Sequence, residues 1–406
     1  MKAKFLSSLK YILFLAIGIG ILLLLVIHQG EDQIKKFYEL ETSSSDVVKK
    51  YHQNELVFSL SQELKQAYSK QNLSLKEREV IDQKQDKLIA LFTWQDKVSL
   101  SWSKISKDFG KSNYKWVFIS MLLGLISHWV RAIRWKLLIQ SLGYQPRSVT
   151  TFFAVMIGYV ANLILPRMGE VSRCAAMSKS DHIPADKLIG TVIVERAVDV
   201  ISLLFLALLV FILEIDVFLG FFDAVDAQKG MNIFKTRNLV IVLIIILFIV
   251  LGLKYGLKII MNILKETNYY FKFVRIIVGL RSGLKSVTQL KNRKQFLFYT
   301  FLLWFLYLLM LYAIFPSFGP TNHLNPLAAL SGMVVGSFGM VAPVQGGIGA
   351  YHWCLQKCLE LYGISSNDGL TLAFIAHTAQ TLLIIVLGVL AVMLIPIFTK
   401  KNEANG

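Results

Sequence analysis

The residues most able to do chemistry in this chain are charges set in apolar sequence. Glu195, Arg196 and Asp199 fall inside the run Leu188 to Leu213. At helical rise, Glu195 is about 10 Å and Asp199 about 17 Å from the Lys187 end. A charge at mid-membrane costs about 2.5 to 3.5 kcal/mol on insertion scales, so three within two turns need a reason to be there. Glu195 and Asp199 are four apart and share a face, where like charges repel; Arg196 and Asp199 are three apart and attract. A cation from another element is therefore required near Glu195. Arg167 and Arg173 are the first candidates, from the stretch Gly158-Tyr-Val-Ala-Asn162-Leu-Ile-Leu-Pro166-Arg167-Met-Gly169-Glu170-Val-Ser-Arg173. Guanidinium forks suit a phosphate as well as a carboxylate. Either a substrate site or a buried ion network that clamps the fold accounts for these charges.

The elements that must hold them are membrane helices. The chain has 406 residues, 55% of them hydrophobic, with several apolar runs near bilayer length. The formal charge of +17 reads as basic cytoplasmic loops rather than a nucleic-acid footprint, because Lys and Arg gather between spans and no nucleic-acid module is recognisable. Cys174, Cys354 and Cys358 make no disulfide framework and lack companions at zinc spacing, so no metal or cofactor is expected.

Lys2, Lys4 and Lys10 precede the apolar run Tyr11 to Ile27, an uncleaved first span with its N-terminus inside. Residues 1–28 form that helix. Residues 29–112 are polar and free of proline, and read as an outer helical hairpin whose second helix opens at the capping box Ser74-x-x-Glu77. A second span, about Trp116 to Leu138, ends in Arg131, Arg134 and Lys136, an inner, positive end. Thr151 to Pro166 would rise only about 24 Å as a helix, short of the roughly 30 Å hydrocarbon core. The break at Pro166 and Gly169 frees backbone groups that lipid cannot satisfy, so it must be buried in protein or line a wet cavity. Asn162 is placed to bond either a headgroup or those freed groups.

Charge settles the expected topology. Residues 254–294 hold ten Lys or Arg against the single acid Glu266, with Ile, Leu and Phe interleaved as in an interfacial helix. That segment belongs inside, which requires the Thr151 to Pro166 segment to enter and return on the inner face. Spans at Leu188 to Leu213, Leu239 to Leu253, Phe296 to Phe315 and Thr371 to Ile397 follow, with the tail 399–406 inside. The same count demands a second re-entrant segment on the outer face at about Leu327 to Leu361, where Gly332, Gly336, Gly339, Pro343, Gly346, Gly347 and Gly349 interrupt the apolar run. Its glycines allow either close backbone approach or small-residue helix packing. Both breaks read Pro-x-x-Gly-x-aliphatic, and one opens from each side, the pattern of an inverted repeat with a midplane site. The fold expected is an all-α polytopic membrane protein with six full spans and two re-entrant segments, or else eight full spans. The repeat halves are about 113–214 and 296–398, within a membrane domain at 113–398. Gln345, Gly346, Gly347 and His352 lie at the second break, and the polar patch His377, Thr378, Gln380 and Thr381 in the last span is the counterpart of the Glu195 to Asp199 turn under the proposed repeat.

Three motifs in order, Gly158 to Arg173, Glu195-Arg196-x-x-Asp199 and Pro343-x-x-Gly-Gly-Ile-Gly349, resemble the lysylphosphatidylglycerol synthase transmembrane-region family. The resemblance covers about 113–398 plus the first span. It implies a multi-pass protein of the bacterial or archaeal cytoplasmic membrane that moves a lipid between leaflets. The best-known members carry a fused aminoacyl transferase; no such domain follows Lys401 here, so lipid synthesis is not expected. Two departures stand out: His352 occupies a place where members often have Glu, and the segment 29–112 is long.

The expected function is a flippase for an anionic or aminoacylated envelope lipid, without enzyme activity. Its partners are membrane lipids, plus an envelope-synthesis partner if 29–112 docks one. The candidate substrate-binding residues are Asn162, Arg167, Glu170, Arg173, Glu195, Arg196, Asp199, Gln345, Gly346, Gly347, His352, His377 and Gln380. The rival from another class is a membrane-embedded enzyme or accessory protein of polyprenyl-linked glycolipid synthesis, using Glu195 or Asp199 as base.

Overall fold

The computed structural model describes residues 2–35, 51, 54–69, 74–165, 167–215, 217, 290 and 292–403. Among them are twelve α-helices and no strand: α1 Lys2–Lys35, α2 Glu55–Tyr68, α3 Leu75–Ala90, α4 Trp94–Lys111, α5 Tyr114–Gln140, α6 Ser148–Ile164, α7 Gly169–Asp181, α8 Ala185–Leu213, α9 Arg293–Ile314, α10 Pro326–Val341, α11 Ala350–Glu360 and α12 Ser366–Glu403. Five are long and apolar enough to cross a bilayer, over Leu15–Lys35, Tyr114–Gln140, Ala185–Leu213, Arg293–Ser317 and Ser366–Phe398. The chain is an all-α, multi-pass membrane protein. The expected span Leu239 to Leu253 and most of the basic segment 254–294 lie outside the described residues, as does Pro166. The helices divide into two units. One comprises Met1–Ser120, Leu311–Leu324 and Val335–Thr381; the other comprises Met121–Met310, Asn325–Val334 and Leu382–Gly406.

In the first unit, α1 does not stop at residue 28 but continues to Lys35, and its last turns serve as the floor of a polar helical layer. Gly30 allows this: a Cβ there would fall on the backbone carbonyl of Lys97. Ser101 donates its hydroxyl to the Val26 carbonyl, and Lys97 pairs with Glu31 at 2.8 Å. Where a two-helix hairpin was expected, residues 54–111 fold as three helices. The Ser74/Glu77 capping box opens α3 as the sequence predicts, with the Ser74 N–H donating to Glu77 at 2.9 Å. A second box, Thr93 with Asp96, opens α4 and creates the extra helix. Ile34, Val57, Leu60, Leu64, Ile81, Leu88, Phe92 and Leu100 bury a common core against α1.

Two helices are too short to span. α6 has 17 residues and α10 has 16, about 25 Å each at helical rise. Each is followed by a break and a second short helix that folds back on it. In the second unit, α7 returns against α6 where Gly158 meets Gly169: a Cβ on either would strike the other's backbone carbonyl. In the first unit, α11 returns against the C-terminal half of α10 where Gly339 lies against the backbone of Ala350 and Tyr351, and Gly336 against the Tyr351 ring. Small residues at the crossing let paired helices approach closely where apolar attraction between them is weak.

Candidate functional site

The charged site is built within the second unit on α5, α7 and α8. Helix α8 presents Glu195 and Asp199 four residues apart on one face, and Glu195 is fully buried. Three guanidinium groups converge on it: Arg131 Nη1 at 3.1 Å and Arg134 Nη2 at 3.0 Å from Oε1, and Arg173 Nη2 at 2.8 Å from Oε2. Asp199 shares two of them, at 2.7 Å from Arg134 and 3.3 Å from Arg131. Like-charge repulsion across the helix turn is thus offset by arginines that bridge both carboxylates.

The arginines are themselves held in place. Arg131 donates to the Tyr307 hydroxyl of α9 from Nε at 3.3 Å and Nη2 at 3.1 Å. Arg173 lies over the Trp135 ring at 4.7 Å, and that indole donates to Thr191 Oγ1 at 2.9 Å. Arg134 is fully buried, 5.8 Å from the centre of the Phe296 ring. Cation–π contact suits a guanidinium already stripped of water. At the outer edge, Arg196 pairs with Glu170 at 3.0 Å, while its contact with Asp199 is looser, at 4.0 Å.

Arg131 and Arg134 are a correction to the sequence reading. There they mark the positive, inner end of the second span; here they are buried partners of Glu195 and Asp199. The signal was present in their spacing: arginines three apart on one face of α5 complement carboxylates four apart on α8. Arg173 is the partner expected for Glu195, but Arg167 is not. Arg167 is exposed in the break with φ 64° and makes no ion pair with any described residue. Its left-handed backbone, uncommon outside glycine, turns the chain between α6 and α7 and leaves the side chain exposed.

Asn162 resolves toward the backbone. Its Oδ1 accepts from the Gly169 N–H at 2.7 Å, satisfying one of the orphan donors at the start of α7. Arg131, Val155, Gly158, Tyr159, Asn162, Gly169, Arg173 and Arg196 line a narrow crevice beside the break. The buried charges around it do not cancel. Arg131, Arg134 and Arg173 give three positive charges against two from Glu195 and Asp199, while Glu170 and Arg196 neutralise each other. Arg173, which lines the crevice, has a buried Nε donor with no hydrogen-bond partner among the described residues, as does Arg134 at Nη1.

The remaining sequence candidates lie in the first unit. Gly346, Gly347 and Gly349 all take positive φ (56°, 75° and 80°), the conformation that glycine tolerates best. Gly349 also admits α1, since a Cβ there would fall on the Gly18 carbonyl. Gln345 is buried in the same turn. His377 Nε2 lies 2.8 Å from the Gly346 carbonyl and therefore carries the proton it donates. His352 is buried, its ring centre 4.8 Å from that of His377. Gln380 donates to the Ser120 carbonyl and hydroxyl at 3.2 and 3.1 Å, which spends its amide on helix packing.

No solved structure matches the chain. A UPF0104 membrane protein of Methanocaldococcus jannaschii is 34% identical over 110 residues, 26% of this chain and 33% of that relative. The chain thus matches about a third of that relative's length. The family model described as lysylphosphatidylglycerol synthase TM region matches residues 88–388, beginning inside α3 and taking in both breaks and the charged turn of α8. This chain belongs to the lysylphosphatidylglycerol synthase transmembrane-region family.

Proposed function

We propose that this protein moves a lipid with an anionic headgroup between leaflets, and that the crevice beside the α6–α7 break receives the phosphate. The observation that carries this reading is the excess of buried cation: three arginines against two carboxylates, with Arg173, whose Nε has no hydrogen-bond partner among the described residues, among those that line the crevice. Burying an unpaired charge is costly, and a bound phosphate would offset both the charge and the missing hydrogen bond. The acyl chains would remain in the bilayer while the headgroup passes. The α6–α7 and α10–α11 hairpins, each a short helix folded back at a glycine crossing, support a pair of re-entrant segments related as an inverted repeat.

A transferase is the less favoured reading. Glu195 has both oxygens engaged by guanidinium groups and Asp199 shares two of them, so neither is placed to take a proton from a substrate. We place both termini and the basic segment 254–294 on the cytoplasmic side of a prokaryotic cell membrane, as the positive charge of those segments favours. The three-helix layer at 54–111 then lies outside, where an envelope-synthesis partner could dock.

Transport of a fluorescent phosphatidylglycerol analogue across reconstituted vesicles tests the proposal. Arg173→Gln should abolish transport while costing no more than about 1 to 2 kcal/mol of stability, because Glu195 keeps Arg131 and Arg134. Wild-type rates in that variant, or no transport of any anionic lipid by the wild type, would overturn it. Loss of rate only in proportion to loss of folded protein would favour the ion cluster as a clamp.

A further inference from the structure

Outside the charged site, the first unit holds a second group of buried titratable side chains that ion pairing leaves untouched. His352 on α11 and His377 on α12 have ring centres 4.8 Å apart. The Phe374 ring is 4.6 Å from His352, and the Tyr351 ring is 5.3 Å from His377 and 6.0 Å from His352. The titratable groups facing each imidazole are thus the other imidazole and the Tyr351 phenol. Among the described residues no carboxylate and no Lys or Arg pairs with either ring.

The geometry fixes what each ring does. His377 donates from Nε2 to the carbonyl of Gly346, the first of the positive-φ glycines of the α10–α11 break, at 2.8 Å. Its Nδ1 then holds a lone pair, with the Thr381 hydroxyl 3.5 Å away. His352 is 3% exposed, and its Nδ1 is buried with no hydrogen-bond partner. An imidazolium at either place would be a buried charge with no counter-charge, beside a second imidazole, in an enclosure of aromatic rings. Such a charge is tolerated only if the enclosure opens to water or the group stays neutral.

We propose that the His352–His377 pair is a proton-binding site that latches the second break: with both rings neutral and buried the break stays packed, and a proton taken up by either ring, which leaves the His377 Nε2–H donor in place, draws the charged ring toward water and opens residues 342–349. The neutral pair packs as described, with His377 tying α12 to the turn. Proton uptake is favoured in whichever arrangement hydrates the imidazolium, so acidification shifts the population toward the open break by linkage. No bond is made or broken beyond N–H, and the proton comes from and returns to water. Combined with the lipid-transport proposal, on which only this consequence rests, the latch supplies a coupling ion for a protein whose sequence carries no nucleotide-binding motif.

Hydrogen exchange of the 342–349 backbone tests the latch without any transport assay. Protein in lipid nanodiscs is labelled at pH 7.5 and pH 5.5, and protection of 342–349 is normalised to the 201–213 segment of α8 to remove the chemical pH dependence. The wild type should lose protection by about tenfold on acidification, the linkage expected for one imidazole that is neutral in the closed break and titrates near the ordinary histidine value of about 6.5 in the open one. His352→Phe with His377→Gln, which keeps an amide donor for Gly346, should show no pH-dependent loss. Unchanged wild-type protection between the two pH values would overturn the latch, as would an equal loss in the double variant. Should the double variant fail to fold, the wild-type comparison alone still decides. A wild type that moves no lipid yet loses protection at low pH would retain the latch and sink only the transport proposal.

Discussion

Replacing Glu195 with Gln removes the one group on which three buried arginines converge. Its carboxylate oxygens lie 3.1, 3.0 and 2.8 Å from Arg131, Arg134 and Arg173. After the substitution Arg131 and Arg134 keep Asp199 while Arg173 loses its carboxylate, so the buried excess rises from one positive charge to two. Breaking a buried ion pair by removing one partner costs about 3 to 5 kcal/mol, because the surviving charge keeps its desolvation penalty and loses its counter-charge. Glu195→Gln should fall in that range. Arg173→Gln works in the opposite sense: it brings the buried excess to zero and leaves Glu195 two partners, so it should cost no more than about 1 to 2 kcal/mol. Unfolding in lipid bicelles, followed by trapping of the unfolded form, measures both. In the double variant Glu195→Gln with Arg134→Met, part of the Glu195→Gln penalty should return, with a coupling of about 1 to 3 kcal/mol. A Glu195→Gln variant within about 1 kcal/mol of wild type, or equal costs for Glu195→Gln and Arg173→Gln, would refute the charge accounting.

Two further outcomes follow from the crossings and from the polar layer. Gly169→Ala puts a methyl on the Gly158 carbonyl and the Asn162 amide, so the α6–α7 hairpin must separate; transport and thermal stability should both fall, whereas Gly190→Ala on α8, with open space around it, should be neutral in the same melting assay. On α4, outside the spans, burial raises the Asp108 carboxyl above its usual range, with Lys104 opposing and Asp368 adding to the rise. A raised folded-state value means the folded protein holds the proton more tightly, a contribution that is full below about pH 4 and is lost as pH rises through the folded-state value. Asp108→Asn should therefore raise the unfolding midpoint at pH 7 and leave it unchanged at pH 4; a lower midpoint at pH 7 would contradict this.

How much of this protein was legible beforehand depended on whether the physics was local. The capping box at Ser74 and Glu77, the short helices on either side of each break and the glycines at positive φ are set by neighbours in sequence, and the chain displays them. Thr93 and Asp96 form the same kind of box at the same spacing, so the start of the third helix of the polar layer is equally local. The charged turn Glu195 to Asp199 announced a polar site because no lipid-facing helix carries such a group without cost.

What the sequence alone determined is the membrane class, the broken helices and the need for a cation beside Glu195. Which cation answered was decided by tertiary structure. Helical periodicity says which side chains share a face of one helix, but not which neighbour that face meets. Arg131 and Arg134 sit near enough to the basic end of α5 to pass as interfacial charges, and only the packing of α5 against α8 turns them inward. Arg167 is nearer in sequence to Arg173 and Glu170, yet the left-handed turn it adopts points it outward. Proximity along the chain counted for less than the direction in which each helix face was carried.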